Sequence, residues 1–484
     1  MPKINLVYPV DLINSEAESV SNNNRGTSTD SGLISLPREG EAAVSTAQRR
    51  KETFRKILSN DYPEKEPWKY IFTGLTGVLM SLGVVSVYTL VPWHDPIKNP
   101  HYFYEALIVC CFPLALVLAA DWTMIFSHST NIKNIRTFGF CFKLWIVLIF
   151  TITVAFVLLT LTWIYVMNYQ LPVPFNGYII LLISYASYFS TIWFHLPKEW
   201  RQDQTFKKRF QRFMMGATYI ILTQLAYNMI MAAVQATPAN FQWIVALFLP
   251  LVREITLMLA LKIFAGSANG DFDSTRVFWT FDIGVIHANA LALTLGNSAT
   301  AKSASAIIGM DFVINLFICL RMIYLKHKDE TPENVENLIE LTQTLILNEW
   351  VEVTAPIGFL GCLILGFYGP NKDIIGDIGA SYWQFKAIED IGRMIQLLSA
   401  FFVVDSVSLL ITTYLLWKFC NVNLYKGFVA LKGEFGWAFA TSFTVNLTGR
   451  FVANMILLGT DLTFQFDWKE GHFNNSEPNG TMID

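Results

Sequence analysis

Apolar stretches of nearly constant length follow one another along most of the chain. They run over 70–92, 105–126, 143–167, 177–195, 213–235, 242–264, 276–296, 303–325, 351–369, 393–417 and 436–459. A helix needs about 20 predominantly apolar residues to cross the hydrocarbon core of a bilayer, since each residue rises only about 1.5 Å. Backbone polar groups in lipid must be paired within their own segment, so such runs are expected to be helices. The pattern predicts an all-α fold, a polytopic integral membrane protein with about 11 transmembrane helices. Spans 1–8 fall within 70–325 and spans 9–11 within 351–459.

The segments between and around the spans differ in kind. Residues 1–48 are rich in Ser, Asn, Thr, Gly and Glu and lack apolar positions to bury, so a disordered tail is expected. They also lack the apolar core of a cleavable signal, which leaves the first span as its own anchor. Residues 49–69 begin with Arg49, Arg50, Lys51, Arg55 and Lys56, interleaved with Phe54, Ile57 and Leu58. They read as a basic juxtamembrane flank at the membrane surface. Within 326–350, Thr331-Pro332-Glu333 has the form of a helix start. Val335, Leu338, Ile339, Thr342, Leu345 and Ile346 then recur at helical spacing. This predicts an amphipathic helix in an inner loop, packed on the membrane or the bundle and leading into span 9. Residues 460–484 form a polar C-terminal tail.

Composition agrees with a membrane protein: 53% of the 484 residues are hydrophobic and 15% charged, against about 25% charged in soluble proteins. The net charge of −3 says little, but the placement of Lys and Arg says more. With the N-terminus in the cytosol, the expected inner segments collect the basic flank before span 1 and Lys198, Arg201, Lys207, Lys208, Arg209 and Arg212 after span 4. The expected outer loops hold Lys98, Lys302, Lys372 and Lys386, and the C-terminal tail Lys469. Positive residues favour the cytosolic side, and an odd span number puts the C-terminus in the lumen or outside the cell. Asn474 and Asn479 there begin N-glycosylation acceptor patterns. The six cysteines lie in or beside apolar segments without metal-ligand spacing and read as small buried hydrophobes.

Polar residues inside the spans carry the candidate chemistry. A charge at the centre of a membrane helix costs about 2.5–3.5 kcal/mol on insertion scales, so such residues have a folding or functional role. Arg253 and Glu254 stand mid-span 6, behind Pro250, which is expected to kink that span. Span 7 carries Asp282, His287 and Asn289, together with a Gly284, Ala288, Ala292, Gly296 stripe that suits close packing and a central position. Asp311 and Asn315 stand in span 8, Asn446 and Arg450 in span 11, and Asp121 in span 2. Asp405, Ser408 and Thr412 share one face of span 10. Arg253 is expected to pair with Asp282 or Asp405, Glu254 with Arg450, and a proton relay between His287 and Asp282 is one candidate reading.

This belt points to a secondary transporter or channel-like protein that moves a small solute or cation through a midplane site. Glu254, Asp282, Asp311 and Asp405 are the candidate cation or proton sites, with Arg253 and Arg450 for an anionic group or ion pairs. A receptor that uses the belt as a switch, and a lipid-modifying enzyme around His287 and Asn289, are the alternatives. No hydrolase, metalloprotease or phosphate-binding motif is present. The chain is therefore expected to lack enzymatic activity, a metal and a cofactor. Its expected partner is the lipid bilayer, with no nucleic acid.

Overall fold

A computed structural model describes residues 52–53, 55–58, 67–91, 108, 112–130, 138–166, 176–238, 240–264, 273–296, 301–328, 332–370, 388–451, 466–467 and 472–473. The expectations for residues 1–48 and for Asn474 and Asn479 lie outside the described residues.

The described chain is almost entirely helical. In order the helices are α1 (Pro67–Leu90), α2 (Phe112–Thr130), α3 (Phe138–Leu161), α4 (Asn176–His195), α5 (Lys198–Gln202), α6 (Gln204–Ala236), α7 (Gln242–Ala246), α8 (Phe248–Phe264), α9 (Asp273–Gly296), α10 (Ala301–His327), α11 (Pro332–Tyr368), α12 (Ile388–Cys420) and α13 (Leu424–Phe451). A π turn, Thr162–Val166, follows α3. Strands β1 (Phe466–Asp467) and β2 (His472–Phe473) pair antiparallel in the tail.

Each expected apolar segment overlaps a helix, but being helical and crossing a membrane are separate properties. Five stretches are long and apolar enough to cross: Gly139–Leu159, Gln242–Ala260, Ala304–His327, Asn337–Gly366 and Gly392–Cys420. They mark the protein as membrane-embedded. Leu75–Val87, Ala115–Ser127 and Val277–Ala292 are shorter apolar helices.

Exposure follows the rule for a lipid solvent. Along α12 the outward residues are Val403, Val407, Leu410, Ile411, Tyr414 and Trp417, while Leu398, Phe401, Asp405, Ser408 and Thr412 are buried. On α10 Val313, Phe317, Leu320 and Tyr324 face out, and Asp311, Asn315 and Met322 face in. Contiguous apolar surface of this extent is rare on a protein that faces water.

The core centres on α9. Every side chain from Val277 to Ala292 is buried, and α9 packs on α6, α8, α11, α12 and α13. A helix sheathed by protein needs no apolar face toward lipid, so it accommodates Asp282, His287 and Asn289. At Gly284 an added Cβ would meet Asn348 Oδ1 of α11 at an ordinary 3.5 Å. A closer approach lies at Gly358 of α11, where a Cβ would sit 2.7 Å from Leu447 Cδ2 of α13.

Three expected boundaries are corrected. The amphipathic segment after Pro332 belongs to the same unbroken helix as span 9, and its apolar side (Leu338, Ile339, Leu345, Ile346) is buried in the bundle. The helix over the last expected span begins at Leu424 rather than 436. Asn421, at φ 55°, closes α12, and Asn423 Oδ1 caps α13 by accepting from Tyr425 N at 3.0 Å. The basic segment after span 4 is helical: Asp203 caps α6 by accepting from Thr205 N (2.9 Å) and Phe206 N (3.2 Å), so Lys207, Lys208, Arg209 and Arg212 ride on the span's own helix.

Pro250 has no N–H for the carbonyl of Ala246, and the helix is interrupted at Leu247, between α7 and α8.

Among the described residues Cys141, Cys319, Cys362 and Cys420 are free, and the last three are buried.

Candidate functional site

Arg253 is fully buried and organises a polar cluster that spans three helices. Its Nη1 donates to Asp311 Oδ1 at 3.1 Å and to Glu352 Oε1. Its Nη2 donates to Asn315 Oδ1 at 3.3 Å, and Asn315 Nδ2 donates in turn to Glu352 Oε2 at 2.6 Å. This closes a ring of guanidinium, amide and carboxylate across α8, α10 and α11. The fixed fork of the guanidinium suits such a ring, which a single ammonium cannot form. Nε donates to Glu254 Oε1 at 3.3 Å.

These contacts correct the expected pairing of Arg253. Arg253 uses Asp311 and Glu352, not Asp282 or Asp405. Glu254 is the half-buried neighbour of Arg253, because two long side chains can bend together even where their Cβ directions diverge. Arg450 stands in the penultimate residue of α13, and its side chain lies outside the described residues.

His287 is also redirected. Its Nδ1 is 3.1 Å from the Tyr227 hydroxyl and its Nε2 is 3.7 Å from Asp311 Oδ1. Asp282, five residues earlier, points about 140° away around the helix. There Ser442 and Asn446 of α13 donate to Asp282 Oδ1, Asn446 at 3.4 Å. The expected Asp282–His287 relay is therefore absent from this arrangement, and the histidine belongs to the Arg253 cluster.

Two functional candidates escaped the sequence reading: Glu349 and Glu352. They stand one turn apart on α11, at the join between the supposed loop and span 9, where carboxylates look like ordinary interfacial residues. Both are buried. Pro356, within α11, has no N–H for the Glu352 carbonyl, so the backbone there is also short of one helical bond. The signal available in the sequence was the helical spacing of Asn348, Glu349 and Glu352 with the apolar positions before them.

Asp405 of α12 lies within electrostatic reach of Asp311, Glu349, Glu352 and Arg253. Ser408 and Thr412 are buried on the same face, as their spacing predicts. Thr412 lies beside Glu349 but not in hydrogen-bonding geometry. Several polar atoms of this layer have no hydrogen-bond partner among the described residues: both Glu349 oxygens, Asp311 Oδ2, Asp405 Oδ2, and the amide atoms of Asn289 and Asn348. Buried polar atoms are nearly always paired with protein or ordered water, so a group of unpaired ones marks where water or a ligand is accommodated.

The arrangement thus has a satisfied half around Arg253 and an unsatisfied half around Glu349 and Asp405. The first is a rigid positioning element, and the second offers carboxylate and amide oxygens to a proton or a cation. Among the described residues no group of three or more His, Cys, Asp or Glu side chains has metal-holding geometry. No protein-family model, curated protein or solved structure matches this chain.

Proposed function

We propose that the protein is a secondary transporter or channel-like protein that moves a small solute or ion through the polar layer around Arg253. The observation that supports this is the charge balance of that layer. Asp311, Glu349, Glu352 and Asp405 are buried around one guanidinium. A buried ionised carboxylate is costly unless it is paired, and one arginine offsets a single net charge. The surplus is held neutral by protons or by an entering cation. The unpaired oxygens of Glu349, Asp405 and Asp311 are the atoms left to receive it. Polar sites deep in an apolar bundle are where transport and ion sites occur.

In this reading the chain crosses the membrane at all of its expected spans. Its N-terminus is cytosolic, its C-terminus lumenal or extracellular, and Asn474 and Asn479 carry glycans. The five apolar stretches support membrane embedding, and the distribution of Lys and Arg supports this choice of sides.

The test is flux. Purified full-length protein in liposomes is expected to carry Na⁺, K⁺ or H⁺ down an imposed gradient faster than protein-free vesicles. Absence of flux under every one of these gradients overturns the ion reading. A ligand-dependent structural change without flux would point to a receptor. Gradient-independent lipid turnover lost in His287→Ala would point to an enzyme.

A further inference from the structure

Apart from the Arg253 cluster, two more buried aspartates share a small chamber. Asp121 of α2 and Asp282 of α9 both line a cavity of about 60 Å³. Thr441 Oγ1 donates to Asp121 Oδ1 at 3.2 Å, and Ser442 and Asn446 donate to Asp282 Oδ1. The second oxygen of each carboxylate has no donor among the described residues. Among the described residues no Lys, Arg or His lines the cavity.

An observation independent of the acids also points to a ligand. Tyr188 is fully buried and belongs to the same cavity wall, and its hydroxyl, beside Thr123, has no hydrogen-bond partner among the described residues. The remaining wall is strongly aromatic, with Trp122, Tyr185, Phe189, Phe213 and Trp279. Trp122 meets the Tyr185 and Tyr188 rings edge-on, with centroids 4.8 and 4.7 Å apart. These contacts hold the wall in shape. A chamber of this size has room for a few water-sized groups, since one needs only about 10–15 Å³ by the same measure.

We propose that this chamber binds a small organic ammonium ion. Its N–H groups donate to the free oxygens of Asp121 and Asp282 and to the Tyr188 hydroxyl, and its carbon end rests on the aromatic wall. Two acids supply the charge, and aromatic faces attract a cation that carries methyl or methylene groups. A hard divalent ion is a poor fit, because it takes about six or more oxygen ligands and this wall is mostly carbon.

The experiment is a binding measurement on the full chain purified in detergent, and it needs no flux, so it stands or falls separately from the transport reading. The probe is methylammonium chloride at constant ionic strength, followed by calorimetry and by tryptophan fluorescence, since Trp122 and Trp279 form part of the wall. Saturable binding is expected, and NaCl or KCl is expected not to reproduce it. Tetramethylammonium, which has no N–H donor and is bulkier, is expected to bind about tenfold more weakly or worse, a difference of about 1.4 kcal/mol. Asp121→Asn and Asp282→Asn are each expected to weaken methylammonium by about tenfold or more, and Tyr188→Phe by a smaller factor, with circular dichroism unchanged. No saturable response to methylammonium in the natural protein overturns the proposal without recourse to any variant. So does an equal response to NaCl, or undiminished binding in a folded Asp282→Asn protein.

Discussion

Arg253 serves Asp311, Glu352, Asn315 and Glu254 at once, and only a guanidinium has the donors and the planarity to do so. Removing it leaves Asp311 and Glu352 buried without their cation, and breaking a buried pair this way costs about 3–5 kcal/mol. Arg253→Met is therefore expected to lower the thermal unfolding midpoint in detergent sharply. Adding Glu352→Gln to that variant is expected to recover part of the loss, because it removes one of the stranded charges. A double variant no more stable than Arg253→Met would separate the two residues energetically. Arg253 was legible in the sequence as a charge inside an apolar run. Its partners were not, because partner choice depends on which way neighbouring helices turn. Glu349 and Glu352 were hidden for another reason: hydropathy places them at the edge of span 9, and only their burial by α9, α10 and α12 reveals them as interior groups.

Helix contacts obey the same physics one scale up. Gly358 lets α11 approach α13, and any side chain there meets Leu447 and Phe443. Overpacking a core of this kind costs about 1–3 kcal/mol. Gly358→Val is expected to destabilise the fold measurably, whereas Gly284→Ala, with its added carbon at ordinary contact distance from Asn348, is expected to leave the unfolding midpoint close to its natural value. Equal effects of the two would show that the α11–α13 approach is less constrained than its geometry implies. The small-residue stripe of span 7 was visible in the sequence, but whether it sets a helix-to-helix distance was not, since that depends on the facing surface. Element positions were largely legible because apolar runs mark helices. Their ends were not: α11 and α13 continue well past the apolar stretch, since residues such as Thr342 and Lys426 face protein there and hydropathy does not register that.

At the scale of the whole molecule, an apolar exterior surrounds a core helix, α9, that carries an aspartate, a histidine and an asparagine. This inverts the arrangement of a water-soluble protein and places the buried polar groups where helices meet. The proposed topology has a direct readout. Enzymatic removal of N-glycans is expected to increase the mobility of the natural protein on a gel, and Asn474→Gln combined with Asn479→Gln is expected to abolish that change. An unmodified C-terminal tail that is reachable only from the cytosol would contradict an odd number of crossings. The central claim concerns the surplus of buried carboxylates, and cation flux through reconstituted vesicles tests it most directly. Natural protein is expected to carry a cation or proton flux, and Glu349→Gln and Asp405→Asn, which leave the Arg253 ring intact, are each expected to reduce it at least tenfold, about 1.4 kcal/mol, while the vesicles hold the same amount of folded protein. Flux that is unchanged in both variants would contradict the account.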